Sequence, residues 1–167
     1  DWSSDVCSSD LPSGKGIVTI SSTGGSGTVG GITGYYLNAY DTTTQSAANS
    51  TTAYVINIGN IASASGMTIT NGNAVSFTNA GVYQLNLSLQ LVNTDNAQHN
   101  ANIWLRQNGV DVAYSNSNET IQARISAGIP SGVVATVPYI VNANAGDTVQ
   151  FVWQTDGPGA TGVQILT

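Results

Sequence analysis

Residues 77–91 read FTNAGVYQLNLSLQL, and from Tyr83 onward the chain alternates without a break: Tyr83, Leu85, Leu87, Leu89 and Leu91 against Gln84, Asn86, Ser88 and Gln90. Side chains of a β-strand point to opposite faces with a period of two. The segment therefore lays one apolar stripe on a core and turns an amide-rich face to water or to another chain. A slip of one residue would invert the two faces, so the pairing register is strongly specified. Asn79-Ala80-Gly81 supplies the turn ahead of the strand. An antiparallel β domain is the reading that this stretch decides.

Outward from it, strand signals recur at the spacing of an all-β sandwich, each bounded by Gly, Asn, Asp or Ser. They fall at residues 35–40, 53–58, 67–70 and 74–79 before the long strand. After it they fall at 102–107, 110–115, 120–127, 132–142 and 148–155, with a closing stub at 163–166. Asn108-Gly109 joins two of these segments and is a strong hairpin signal, because both residues tolerate positive φ. No segment carries helical periodicity of useful length.

Two late strands are apolar on both faces. One face of the segment 133–141 carries Val133, Ala135, Val137, Tyr139 and Val141, and the other carries Val134, Thr136, Pro138 and Ile140. In 148–155, Val149, Phe151 and Trp153 oppose Val152 among polar residues. A face-to-face sandwich uses one face per sheet, so the second apolar face points to a subunit interface, with coverage by a loop as the alternative. Pro138 cannot donate to a ladder and marks an edge or a bulge.

The 167 residues suffice for one domain with a real core. Only 7% of them are charged, against about 25% in an ordinary soluble domain. Polarity is carried by Asn, Thr, Ser and Gln, which solubilise weakly, so association into an oligomer is the default expectation. The net charge is −6 and the only basic residues are Lys15, Arg106 and Arg124. This argues against binding nucleic acid or an anionic membrane surface. No run of 18 apolar residues spans a membrane, and a lone Cys7 excludes an internal disulfide.

Residues 1–11, DWSSDVCSSDL, resemble the translation of a common short-read sequencing adapter and are set aside as foreign, a genuine polar tail being the alternative. Without them six acids face three bases, and the acidic balance means little. The chain is then expected to begin inside a longer reading frame. Residues 12–34 form a Gly/Ser/Thr-rich linker or stalk remnant; eight of the nineteen glycines lie between Ser13 and Gly34. Gly24, Gly27 and Gly30 fall three apart, but the register fails at Thr33, which rejects collagen. The globular domain is expected over 35–167, its closing strand short, with truncation at the C-terminus as one reading and a complete end as the other.

Phe77-Thr-Asn-Ala-Gly81-Val-Tyr83-Gln-Leu85 resembles the signature of the C1q and tumour-necrosis-factor superfamily, in which a strand ends in Phe and the next opens Gly-x-Tyr-x-Phe. Leu85 stands where Phe is usual. Ile103-Trp-Leu-Arg-Gln-Asn-Gly109 resembles the family's strand and Asn-Gly turn. Gly132-Val-Val and Ala145-Gly146-Asp147-Thr-Val-Gln-Phe151 resemble its penultimate pair of strands. The resemblance implies a ten-strand antiparallel jelly-roll sandwich assembled as a homotrimer, with Phe77, Tyr83, Leu85, Leu87, Leu89, Val134, Ile140, Phe151, Val152 and Trp153 packing the core and the trimer contact. The composition is closer to the microbial and bacteriophage branch, whose heads sit at the tips or surfaces of fibres.

Chemistry is sparse by comparison. His99 is the only histidine and reads as a solvated residue of the polar loop 93–100, so one chain cannot assemble a catalytic triad or a multi-histidine zinc site. Asp41, Asp95, Asp111, Glu119, Asp147 and Asp156 are scattered singly, without the flanking pair that glycoside hydrolysis needs. No catalytic residue and no cofactor is expected. Calcium is the one metal question, since some heads of this kind bind it and Asp95, Asp111 or Asp156 have oxygen-rich neighbours. Arg106 and Arg124 read as solvated cross-strand residues. Trp104, out of phase with Ile103 and Leu105, caps the sheet, fills the trimer contact or paves a sugar-binding surface. Three glycosylation sequons, at Asn49, Asn86 and Asn118, carry no weight in a microbial or viral protein.

The sequence thus reads as a non-catalytic structural and adhesive head of a trimeric phage fibre or virion surface protein, outside the cell, partnered with its own copies and a host surface glycan or protein. The alternatives are the head of a bacterial surface or spore-coat collagen-like fibre and a polysaccharide-degrading enzyme on the same scaffold.

Overall fold

The computed structural model describes residues 34–157 and 162–166. The adapter-like segment 1–11 and the linker up to residue 33 lie outside the described residues. Among those described there is no helix. Ten strands have four residues or more: β1 (Tyr36–Tyr40), β4 (Asn60–Ser65), β5 (Met67–Thr70), β6 (Ala74–Phe77), β7 (Gly81–Asn93), β8 (His99–Gln107), β10 (Ser117–Ile121), β11 (Ser131–Ala143), β12 (Thr148–Thr155) and β13 (Val163–Leu166). Three have two: β2 (Gln45–Ser46), β3 (Tyr54–Val55) and β9 (Val110–Asp111).

All pairings are antiparallel. A four-stranded sheet runs β11-β7-β13-β2, a seven-stranded sheet runs β10-β8-β12-β6-β5 with β3 on β12 and β9 on β8, and β1 pairs with β4 as a separate ribbon. From β6 the chain passes between the two larger sheets and back again, so β7, β11 and β13 share one sheet while β6, β8, β10 and β12 share the other. The inner faces meet in one apolar core. Leu87, Leu89, Leu91, Val137, Tyr139 and Val141 come from the four-stranded side, and Phe77, Ile103, Leu105, Val149, Phe151 and Trp153 from the other. The Tyr139 hydroxyl crosses that core to donate to the Ile103 carbonyl, 3.2 Å away.

The alternation that opened the sequence analysis is realised in β7. Tyr83, Leu87, Leu89 and Leu91 are buried, Leu85 is half-buried, and Gln84, Asn86, Ser88 and Gln90 are exposed. Its turn is a built corner. The rings of Phe77 and Tyr83 lie 4.5 Å apart between centroids, and the Tyr83 hydroxyl donates to the Asn79 carbonyl at 2.8 Å. The same corner grips the turn between β11 and β12, since Gly146 N–H donates to the Phe77 carbonyl at 2.7 Å and Phe77 N–H to that of Asp147 at 3.1 Å.

Asp147 then ties in the β8–β9 hairpin. Its carboxylate accepts from Asn108 Nδ2 at 2.8 Å, Gln107 Nε2 at 3.1 Å and Asn144 N–H at 2.8 Å. These bonds, the Asn144 backbone foremost, hold the carboxyl below its ordinary range. Asn108 and Gly109 have φ of 50° and 80°, as the hairpin requires. Asn71-Gly72 makes a second such turn between β5 and β6, with φ of 53° and 72°.

Several boundaries differ from the sequence expectation. The segment 53–58 keeps only two residues in register, and Ile56 and Ile58 continue into the core outside any strand. The segment 110–115 ends at Asp111, because Tyr114 turns with φ of 62°. The segment expected at 120–127 pairs earlier, as β10, where Ile121 reaches the core. The β4 ribbon strand, exposed along its whole length, carries no apolar alternation by which to find it.

Candidate functional site

Three features of the surface carry chemistry. The first is the outward face of the four-stranded sheet. Along β11 the inward Ala135, Val137, Tyr139 and Val141 are buried, while Val134 is 64% and Ile140 79% exposed. Thr136 and Pro138 complete the exposed row. Register sets Val134 beside Gln90, Pro138 beside Asn86, Ile140 beside Gln84 and Asn142 beside Val82, which is itself 71% exposed. β11 is the edge of its sheet, which is where Pro138, lacking an N–H, is tolerated. The result is an amide surface studded with aliphatic side chains that no other described residue covers.

The doubly apolar β12 behaves differently. Phe151 and Trp153 face the core and Val152 the other way, yet all three are buried, Val152 at 0% exposure. Its outward side is flanked by Trp104 of β8 and Val55 of β3. Of the two strands, only β11 keeps its second face open, whereas Val152 on β12 is buried between neighbouring strands.

The second feature is the outward face of β10, β8 and β12. Ile103 and Leu105 point into the core, so Trp104 points out, half-buried. It lies beside Asp111, whose carboxylate takes Arg106 Nε at 2.7 Å. Arg106 first and Trp104 second hold that carboxyl below its usual range. Arg106 is therefore paired rather than simply solvated. Around the indole stand side-chain amides: Asn118 and Asn116 both donate to Asn102 Oδ1, at 3.0 and 3.2 Å, and Thr120 donates to Asn100 Oδ1 at 2.9 Å.

The third is a cluster that sequence reasoning missed. His99 is not a solvated loop residue; it opens β8 and is 9% exposed. Its Nε2 lies 2.8 Å from Asp95 Oδ2 and its Nδ1 3.3 Å from Asp156 Oδ1, so both ring nitrogens face carboxylates. The His99 hydrogen bond is the main reason that the Asp95 carboxyl sits low. Burial pushes Asp156 up, but hydrogen bonds from the Asn100 backbone and side chain, with the His99 charge, outweigh it and leave it low. Next to this cluster the buried Asn93 amide donates to the carbonyls of Ala97 at 2.7 Å and Gln122 at 3.0 Å, pinning two loops. The spacing Asp95–His99 was visible in the chain; Asp156, far along it, was not.

The carboxylates considered for calcium are spent on these partners. Among the described residues, no group of three or more His, Cys, Asp or Glu side chains is arranged to hold a metal ion. A cavity of about 240 Å³ beside Thr43, Gln45, Tyr54 and Asn57 is lined by hydroxyls, amides and apolar groups, with no carboxylate, histidine or lysine among the described residues. No protein-family model and no curated protein matches the chain.

Proposed function

We propose that the domain is a non-catalytic, trimeric jelly-roll head of the C1q and tumour-necrosis-factor kind, carried on a phage fibre or virion surface and presenting its surface to a host. The observation that carries this reading is the open aliphatic row on β11 and β7, where Val134, Ile140 and Val82 are 64%, 79% and 71% exposed on an otherwise uncharged sheet face. An exposed patch of this kind on a chain with 7% charged residues favours coverage by another copy. A three-fold ring covers it identically in each protomer.

The strand order of the two sheets supports the jelly-roll reading, since β7, β11 and β13 form one layer, β6, β8, β10 and β12 the other, and the chain crosses between layers at β6–β7, β7–β8, β10–β11, β11–β12 and β12–β13. So does the corner in which Phe77, Tyr83 and Gly146 interlock. Three-fold repetition multiplies weak contacts into avidity, which suits attachment better than turnover. Sedimentation equilibrium of the chain, with and without Ile140→Asp, tests the assembly. A trimeric wild type and a monomeric variant support it, and a monomeric wild type defeats it.

A further inference from the structure

We propose that the outward face of β10, β8 and β12, centred on Trp104, is a binding platform for a neutral oligosaccharide. The proposal deepens the reading of the domain as a host-surface-binding head, on which it rests, by naming the ligand class and the face that takes it.

The platform is rigid. Trp104 stands on the middle strand of a paired sheet, with Asn102 and Arg106 on its own side of β8 and the fully buried Val152 next to it on β12. Trp104 is half-buried in the sheet beside Asp111, which Arg106 Nε holds at 2.7 Å. An aromatic ring fixed in this way offers an apolar surface without a further loss of rotamer freedom on binding.

The polar groups around it are fixed as well. Asn118 bonds to Asn102, Thr120 to Asn100, Asn100 to Asp156 and Gln154 Nε2 to the Ser50 carbonyl, at 2.9 to 3.0 Å. A side-chain amide has two donor hydrogens and an oxygen with two lone pairs, so one or two such bonds orient it without saturating it. Alternating hydroxyls that both donate and accept are the natural complement.

Charge selects the ligand. Arg106 is matched by Asp111 at 2.7 Å, and Asp156 faces His99. Glu119 pairs with the core-facing Ala101 and so belongs to the opposite side of β10. With Arg106 already paired and the carboxylate of Asp156 close by, this face favours neither a sulfated nor a phosphorylated partner. It also lacks the exposed aliphatic row of the four-stranded sheet, which is the face that suits a second copy. Three strands are about 10 Å across, and Asn100 to Arg106 spans about 20 Å of β8, a footprint for several linked sugars rather than one.

The test is calorimetric titration of the full chain with neutral hexasaccharides of the cello, malto, chito and manno series, with a sulfated heparin hexasaccharide as the charged comparison. At least one neutral ligand binds. Trp104→Ala weakens it about tenfold or more, while Trp104→Tyr retains most of the affinity because an aromatic face remains. The melting temperature and mass of each variant are measured alongside; if Trp104→Ala melts far below wild type, Gln154→Ala with Trp104→Tyr carries the comparison. Absence of binding by every neutral ligand, equal or tighter binding of the sulfated one, or unchanged affinity in Trp104→Ala would overturn the proposal. The platform lies within one chain, so a monomeric Ile140→Asp protein keeps its per-site affinity. Failure of the trimer and failure of the sugar site are thereby read separately.

Discussion

Replacing Ile140 by Asp places a carboxylate in the middle of the exposed row on β11. Ile140 is 79% exposed in the single chain. Full burial of such a side chain is worth about 1.5–3 kcal/mol, so most of that, about 2 kcal/mol, is lost at each contact. Three equivalent contacts in a closed ring make about 6 kcal/mol, a weakening of the trimer by about four orders of magnitude. Desolvating the new carboxylates adds to this, by several kcal/mol for each ion that is buried. The isolated protomer feels little, because the residue sits in water there and strand propensity spans only about 1 kcal/mol. Light scattering at micromolar concentration reads the effect directly: wild type holds three chains and Ile140→Asp one, with its far-ultraviolet circular dichroism retained. Val110→Asp, equally open at 71% exposure but on the other sheet, leaves the mass unchanged. An Ile140→Asp protein with the mass of wild type would refute the placement of the contact.

Leu89→Ala, at a position 6% exposed, costs about 2–5 kcal/mol, whereas the neighbouring Gln90→Ala changes stability by about 0.5 kcal/mol or less; thermal denaturation separates them, and similar losses would contradict the face assignment. The carboxyls of Asp95, Asp111, Asp147 and Asp156 are all lower in the folded chain than in the unfolded one. Their stabilisation is complete above about pH 4 and disappears as pH falls through the folded values. A melting temperature that is level near neutrality and drops in acid below about pH 4 checks this. At the alkaline end burial pushes Tyr139 up to about 12, so it contributes stability below about pH 10 that is lost as pH rises toward its folded value. Absorbance titration of tyrosinate shows Tyr139 ionising late, with Tyr83, also pushed up by burial, above the ordinary range as well, if this holds. Excess EDTA leaves the melting temperature unchanged, since Asp95, Asp111 and Asp156 are engaged by His99, Arg106 and Asn100.

The parts of the fold that were legible in the chain are those where local chemistry and tertiary burial agree. β7 and β11 could be read because alternation and burial coincide residue by residue, and the Asn108-Gly109 hairpin because positive φ leaves a sequence mark. β2 and β3 left no such mark: two residues each, they are held by partners distant in sequence, Gln45 by Ile165 and Val55 by Val152. β4 was illegible because all six residues are exposed and nothing forces a period. Trp104 could be set on the outward face from its phase with Ile103 and Leu105, but its place beside Asp111 depends on the register of β8 with β9. The His99 cluster escaped notice for a similar reason, since Asp156 arrives from the end of β12 and only the folded chain brings it within 3.3 Å.

Coverage of the open face of β11 by copies of the chain is the central proposal, and the mass of the wild-type chain in solution tests it most directly. Light scattering across a dilution series into the low micromolar range should return three times the 17.1 kDa chain mass. A stable species of one chain mass over that range would contradict it.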